Sequence, residues 1–431
     1  MSDQTSFTLS FQPYKLTLRS AFGTAHSVTT VRNNALIKLD VTTTTSSGDV
    51  ITIHGYGECG VPPKKALCYF ADLNDIETYF NAFVDTVTQQ HVSPSSSPSQ
   101  SSTIRYDPFS QLPDQYFRDL RPTSANNTSP SIFYTLLECL DKCPLNNMDY
   151  SHASQCAIEM AIFDCWGKYL NLPIYKLASL ECGDELKPFY YTVSLCPTMK
   201  EILDCSDFGA KYTSFIKIKL DDDVEKGIHI IKSVLEHLEK QSKPVTKISV
   251  DANSSWSPAS AIKYLEYLKT IKHLISMVEQ PFPVETLKVK TKDTPRIIGE
   301  WKQIKELYFE QGLPLFADES ICTHEDVAEL VELVHGVNIK LEKTGGIRGA
   351  LLAVTEAKKH NLDIWVGSMV GSSLNANAAA HILTSVSNYG GDLDGGLLVD
   401  DQSQLFKDGF EFKDLGYIQI SSNPGVGVLN K

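Results

Sequence analysis

Two lysines alternate inside one apolar run, Phe215-Ile216-Lys217-Ile218-Lys219-Leu220, and few folds accept such a pattern. Successive side chains of a β-strand point to opposite faces, so both ammonium groups share one face while Ile216, Ile218 and Leu220 share the other. Two cations side by side in an interior are costly unless they have chemistry to do. Three more apolar runs end in carboxylates: Ile248-Ser249-Val250-Asp251, Ser276-Met277-Val278-Glu279 and Leu315-Phe316-Ala317-Asp318. A fifth, Val337-Asn338-Ile339-Lys340-Leu341, returns to lysine. Lysines, three acids and a lysine, each on its own strand, predict a divalent metal flanked by two amine bases.

Between these runs apolar residues recur at helical spacing. Val224 to Lys240 carries Ile228, Ile231, Val234, Leu235 and Leu238 on one face, and Ala261 to Ile275 carries Leu265, Leu268, Ile271 and Ile275. Val327, Leu330, Val331 and Val334 form another such face, as do Ile347, Leu351 and Val354. Strand, loop and helix repeat at the ~30 residues per unit of a (β/α)8 TIM-type barrel, which predicts an α/β barrel over residues 188–400. An open doubly wound sheet is the runner-up, but it lacks its glycine-rich fingerprint and leaves functional residues at five strand ends unexplained. Upstream, Ala35–Val41 and Val50–Gly55 flank a Thr/Ser tract and read as antiparallel strands, and Ser151 to Tyr169 reads as a helix. Two polar tracts, near 92–103 and 122–131, are surface insertions on composition.

Composition narrows the function. A formal net charge of −13 offers no basic patch to a phosphate backbone, so no nucleic-acid partner is expected. No apolar stretch reaches the ~20 residues of a membrane span and the N-terminus lacks signal-peptide regions, so no membrane partner is expected either. Ten cysteines without metal-site pairing read as buried free thiols, which predicts a reducing, cytoplasmic setting. A small-molecule partner is expected, with a homo-oligomer left open.

Three hard oxygen donors, Asp251, Glu279 and Asp318, suit Mg²⁺ better than Zn²⁺. Asn253 and Glu319 neighbour these acids and are expected to support them. Crowding Lys217 against Lys219 near a cation favours loss of a proton from one, making an amine base. Lys340 alternates with Asn338 and points into the barrel, while Lys343, past the strand end, reads as a surface residue. One base then approaches each face of a carbon held above the metal.

Lys217-Ile218-Lys219, Asp251, Glu279, Asp318 and Lys340 resemble the signature of the enolase superfamily, in its muconate-lactonising subgroup. Tyr56-Gly57-Glu58-Cys59 resembles the end of that family's first hairpin, and Ala157 to Lys168 the helix leading into its barrel. The resemblance implies an α+β capping domain over residues 1–150, completed by the C-terminal tail 401–431, with 151–187 a helical connection. It further implies an isomerase that abstracts the proton α to a carboxylate, with Lys217 stabilising the enolate and Lys219 and Lys340 as bases. Asp392-Leu393-Asp394 is similar to the motif by which dipeptide epimerases hold a dipeptide's ammonium group, and Val366-Gly367-Ser368-Met369 also resembles those enzymes. That resemblance makes Ser368 and Met369 expected substrate contacts, and His26, in the loop Phe22 to Ser27, is a further candidate, although that loop has no arginine where members acting on an acidic second residue carry one. The expected function is Mg²⁺-dependent dipeptide epimerisation. N-acylamino-acid racemase, o-succinylbenzoate synthase and cycloisomerase activities stand as alternatives, and a non-enzymatic binding protein comes last.

Overall fold

In the computed structural model, residues 5–44, 47–62, 68–69, 71–92, 106–121, 131–143, 151–182, 186–284, 287 and 291–431 are described. The polar tracts at 93–102 and 123–131 lie outside these residues apart from Ser131, which begins a helix.

The chain begins with a three-stranded antiparallel sheet, β1 (Ser6–Gly23), β2 (Val28–Thr44) and β3 (Val50–Cys59), in the order β1-β2-β3. Leu36 pairs with Glu58 and Ile37 with Gly57. Helices α1 (Leu73–Val92), α2 (Ser131–Lys142) and α3 (Ser151–Leu170) follow. The small residues of α3 meet Gly55 and Gly57 on β3, and a Cβ on Gly57 would stand 1.9 Å from the Ala157 carbonyl oxygen. Only glycine permits that approach. Asp164 on α3, fully buried, accepts hydrogen bonds from Tyr56 N at 2.9 Å and Val426 N at 2.8 Å, so one carboxylate ties β3 to the C-terminal tail.

After the short strand β4 (Lys187–Pro188) come eight parallel strands in chain order: β5 (Tyr191–Val193), β6 (Phe215–Lys219), β7 (Lys247–Asp251), β8 (Ile275–Glu279), β9 (Leu315–Ala317), β10 (Gly336–Lys340), β11 (Asp363–Gly367) and β12 (Gly391–Asp392). Tyr190 N donates to Gly391 O at 2.8 Å beside a Phe189–Gly391 bridge, bringing the last strand to the first. The architecture is a nearly closed TIM-type barrel with an N-terminal α+β domain. Each strand is followed by a helix, for example Val224–Lys240 after β6, whose N-terminus is capped by Asp223 accepting from Lys226 N. Among the described residues no helix is long and apolar enough to cross a membrane.

Alternation sorts the strand residues as expected. Ile216, Ile218, Ile248 and Val250 join the main core, while Phe215, Met277, Phe316 and Trp365 form a separate cluster with Tyr190. Phe215, Met277 and Trp365 share a strand face with Lys217, Glu279 and Gly367 respectively, so an aromatic floor lies under the charged residues. One expected helix is too long. The segment after β7 is helical over Pro258–Leu268, tightens into a 3₁₀ turn over Lys269–Ile271, and Ile275 already opens β8.

His381, in the helix Ser373–Val386, is fully buried between an acceptor and a donor: its Nε2 lies 3.2 Å from Val426 O and its Nδ1 accepts from Tyr175 N at 3.4 Å. Burial pushes its pKa down to about 4, against the carbonyl's opposing pull. The unfolded chain then binds the extra proton first, so this contribution to stability is intact above about pH 6.5 and falls as pH drops towards 4. At pH 5 the loss should reach about 2 kcal/mol. Urea unfolding at pH 7.5 and pH 5 should show a smaller drop in His381→Asn than in the unaltered chain. Equal drops would contradict the assignment.

Candidate active site

The strand ends assemble a buried ionic network. Lys217, 1% exposed on β6, places Nζ 2.7 Å from Glu279 Oε2, 2.8 Å from Asp392 Oδ2 and 3.2 Å from Asp251 Oδ2. Lys219 donates to Asp251 Oδ2 at 2.6 Å and to Asn253 Oδ1 at 3.0 Å. Lys340 donates to Asp318 Oδ2 at 2.8 Å. Lys219 and Lys340 thus stand on β6 and at the end of β10, with the three acids on the strands between. Asn253 sits in the left-handed region at φ 43° and donates from N to Asp251 Oδ1 at 2.8 Å, and from Nδ2 to Asp251 and Glu319, both at 3.3 Å. Its backbone and side chain thus link the carboxylates of Asp251 and Glu319.

Electrostatics follow from this crowding. Burial opposes charge on Lys217, yet Asp251, Asp392 and Glu279 hold its ammonium well above the ordinary value. Burial also opposes charge on Asp318, but Lys340, Lys343 and Lys217 hold its carboxyl well below the usual range. Glu279 goes the other way: burial, with Asp251, Asp318 and Asp392 against the pull of Lys217, pushes it up to about 8. Burial and Asp392 likewise raise Asp394 to about 6.

A cavity of about 310 Å³ opens above the network, between the barrel mouth and the β1–β2 turn. Lys219, Lys340, Asp318, Asn253 and Glu319 line it, as do Asp392, Asp394, Ser368, Met369 and His26. All the substrate contacts expected from sequence are therefore at one cavity, but they are engaged differently. Asp392 already accepts from Lys217 and, through Oδ1, from Trp365 Nε1 at 2.6 Å. Asp394 Oδ2 accepts from Thr192 N at 2.5 Å. His26 Nε2 lies 2.7 Å from Asn253 O, fastening the first hairpin to the barrel mouth. Met369 N donates to Glu342 Oε1 at 3.1 Å.

Lys343 corrects the sequence reading. It is 4% exposed, not a surface residue, and donates to Asp318 Oδ1 and Asp318 O, both at 2.5 Å, and to Asn338 O at 3.2 Å. A single helical turn, Leu341–Thr344, follows β10 and brings position 343 back beside position 340. Other contributors carried no sequence signal. Gln280, at φ 38°, accepts from Asp318 N at 2.9 Å and Ser320 N at 3.1 Å and so fixes the turn that aims Asp318. Gly367 has a legible reason to be glycine only in three dimensions: a Cβ there would stand 2.7 Å from Asp392 Oδ1, 2.8 Å from Asn338 Oδ1 and 2.9 Å from Lys340 Cε.

The donor chemistry fits a hard divalent cation. Six carboxylates at the mouth, Asp251, Glu279, Asp318, Glu319, Asp392 and Asp394, are buried among four ammonium groups, Lys217, Lys219, Lys340 and Lys343. Glu279 Oε2 is buried and accepts no hydrogen bond, Lys217 being within ion-pair distance but off the hydrogen-bond angle. Among the described residues no three acidic, histidine or cysteine side chains converge closely enough to enclose an ion, because ammonium groups stand between the acids.

Removing one partner of a buried charge cluster typically costs about 3–5 kcal/mol. Lys217→Met should therefore lower the urea-unfolding stability of chelator-treated protein by that order, far more than Lys200→Met on an exposed helix face. Similar losses in the two variants would show that Lys217 does not hold the acids together.

Comparisons with known proteins identify the family and the fold. The family described as "Enolase C-terminal domain-like" matches residues 207–429. An enolase superfamily member of Dictyostelium discoideum is 54% identical over 98% of this chain and 96% of its own. The L-Ala-D/L-Glu epimerase of Bacteroides thetaiotaomicron is 28% identical over 98% of this chain and 87% of its own. Among solved structures, a substrate-liganded complex of the L-Ala-D/L-Glu epimerase from Bacillus subtilis superposes with a TM-score of 0.70 at 22% identity, covering 98% of both chains. A dipeptide epimerase from Cytophaga hutchinsonii, complexed with Mg and D-Ala-L-Val, gives a TM-score of 0.68 at 20% identity over 100% of this chain and 96% of that one. With lysines and acids at the mouth of this barrel and relatives of this kind, the chain belongs to the enolase superfamily and is an enzyme of the isomerase class.

Proposed function

We propose that the protein is a Mg²⁺-dependent dipeptide epimerase that inverts the α-carbon of the C-terminal residue. The observation that carries this reading is the pair Lys219 and Lys340, both lining one cavity from opposite sides of the three acids. One amine takes the α-proton, and the electron pair of the broken C–H bond moves into the neighbouring carboxylate as an enolate. The other, as ammonium, returns a proton to the opposite face, so a C–H bond breaks on one side and forms on the other. Lys217 adds fixed positive charge to the floor of the site. Asp251, Glu279 and Asp318 would hold Mg²⁺, braced by Asn253 and Glu319, and the ion supplies positive charge to stabilise the enolate.

For the dipeptide's ammonium group Asp394 is the stronger candidate, because both Asp392 oxygens already have donors. Ser368, Met369 and His26 shape the cavity around the remaining atoms. That engagement of Asp392 favours one second reading, an N-acylamino-acid racemase, which needs no ammonium site. A relative in Pseudoalteromonas named N-acetyl-D-glutamate racemase is 30% identical over 57% of this chain. Free thiols at all ten cysteines suit a cytoplasmic enzyme.

Proton exchange in deuterium oxide tests the scheme. Lys219→Ala and Lys340→Ala should each lower epimerisation roughly hundredfold or more, while one of them still exchanges the α-proton of a single epimer. Near-normal epimerisation in either variant rules out the two-base scheme. Chelation should abolish turnover and Mg²⁺ restore it, and activity surviving both full chelation and Asp251→Asn would remove the metal from the mechanism. Turnover of N-acetylated dipeptides equal to that of free ones would select the racemase reading.

A further inference from the structure

Two buried carboxylates stand without a cation where the N-terminal sheet meets the barrel. Glu58 is fully buried and Glu342 is 4% exposed, and among the described residues neither forms an ion pair with a lysine or arginine. Glu58 is well supplied with donors, from Asn34 Nδ2 to Oε1 and from Ser372 N to both oxygens. Glu342 is not. Its Oε1 accepts from Met369 N at 3.1 Å and from Asn375 Nδ2 at 2.6 Å, while its Oε2 is buried with no hydrogen-bond partner. Asn375 Oδ1 is buried and bare in the same way. The amide cannot reverse without loss, because Asn375 Nδ2 also donates to Met369 O at 3.2 Å and both of its partners are acceptors only.

Geometry and chemistry limit what can satisfy these two oxygens. Joined through the 2.6 Å contact between their groups, Glu342 Oε2 and Asn375 Oδ1 are no more than about 7 Å apart. Glu342 lines a cavity of about 40 Å³ together with Cys59, Gly60, His152, Ala153 and Met369, which has room for a small ion and a water. Lys343 also borders it but directs its ammonium to Asp318 and Asn338 O. Burial raises the Glu342 pKa, against the hydrogen bonds from Asn375 and Met369 that favour the anion. A water alone would serve both oxygens and leave the charge unmatched. One carboxylate with neutral oxygen donors matches a single hard positive charge, whereas a divalent ion draws on more acids and a soft ion on sulfur or nitrogen.

We propose that Glu342 Oε2 and Asn375 Oδ1 hold a monovalent alkali cation, K⁺ or Na⁺, at a site separate from the three acids Asp251, Glu279 and Asp318. The inference does not depend on the epimerase reading. A cation there compensates Glu342 and, through Met369 N and the Asn375 amide, tightens the wall that presents Ser368 and Met369 to the larger cavity.

Thermal unfolding in the chloride salts of K⁺, Na⁺ and tetramethylammonium, at equal ionic strength and fixed Mg²⁺, tests the site. K⁺ or Na⁺ should raise the midpoint of the unaltered protein by at least about 2 °C over tetramethylammonium, which is too large for the cavity, and the rise should saturate with concentration. Glu342→Gln keeps an oxygen for Met369 N and Asn375 Nδ2 but removes the charge, so its midpoint should not respond to the alkali cation. Asn375→Ser keeps the charge and removes the amide oxygen, so roughly tenfold more K⁺ should be needed for half the rise. Thallium-205 NMR of the unaltered protein in nitrate salts gives a reading free of unfolding: a bound Tl⁺ resonance should appear and be displaced by K⁺. Equal midpoints in the three salts, or no bound Tl⁺ signal, overturns the proposal and leaves a water between the two oxygens. A full rise retained in Glu342→Gln also overturns it, by placing the cation elsewhere. Should Glu342→Gln not fold, a K⁺ requirement unchanged in Asn375→Ser overturns the assignment instead.

Discussion

The ammonium of Lys217 is the contact on which the barrel mouth depends. It reaches acids at the ends of β7, β8 and β12 at once, and each of those carboxylates is 0–6% exposed. Without it, three anions would face each other in a medium that screens them poorly. With it, the interior of the barrel divides into two levels. The aromatic residues below are ordinary hydrophobic packing, and above them charge balance decides where each side chain rests. Lys217 is therefore a structural cation first, and its position at the centre of the acids is what leaves Lys219 and Lys340 at the two sides.

Buried polar contacts join the N-terminal sheet to this mouth. Glu58, buried at the end of β3, accepts from Asn34 Nδ2 at 2.8 Å and from Ser372 N at 2.9 Å. Ser372 caps the helix Ser373–Val386, and Asn34 Nδ2 also reaches Val370 O at 3.2 Å. From the barrel side Glu342 Oε1 accepts from Met369 N and from Asn375 Nδ2. Two carboxylates from different parts of the chain hold the segment between β11 and its helix, which is the segment that presents Ser368 and Met369 to the cavity. The shape of that wall is therefore set jointly by the sheet and the barrel.

How much of this was legible depended on distance along the chain. Lys217, Lys219, Asp251, Glu279, Asp318 and Lys340 each announce themselves locally, because a charge in or at the end of an apolar period-2 run is costly to bury unless it serves a site. Lys343 did not, since the period changes from strand to helix between Lys340 and Lys343 and the turn brings it inward. Ile275 shows the same ambiguity in reverse, as its spacing fits the preceding helix although that helix ends at Leu268 and Ile275 opens β8. Gln280, Trp365 and Glu342 act through partners or a cavity assembled from remote strands, and no local pattern distinguishes them from ordinary strand or turn residues.

The Lys217–Asp392 pair joins residues 175 positions apart, and the strands of the barrel are laid down in the same order as they stand in the sheet. During synthesis the ribosome delivers Lys217, Lys219, Asp251 and Glu279 long before Asp392 exists. Until β12 is made, Lys217 lacks one of its three carboxylate partners and the sheet lacks the strand that meets the residues before β5. Burial of that ammonium is matched by its full set of carboxylates only in the complete barrel, so the charge network rewards closure over any partial sheet.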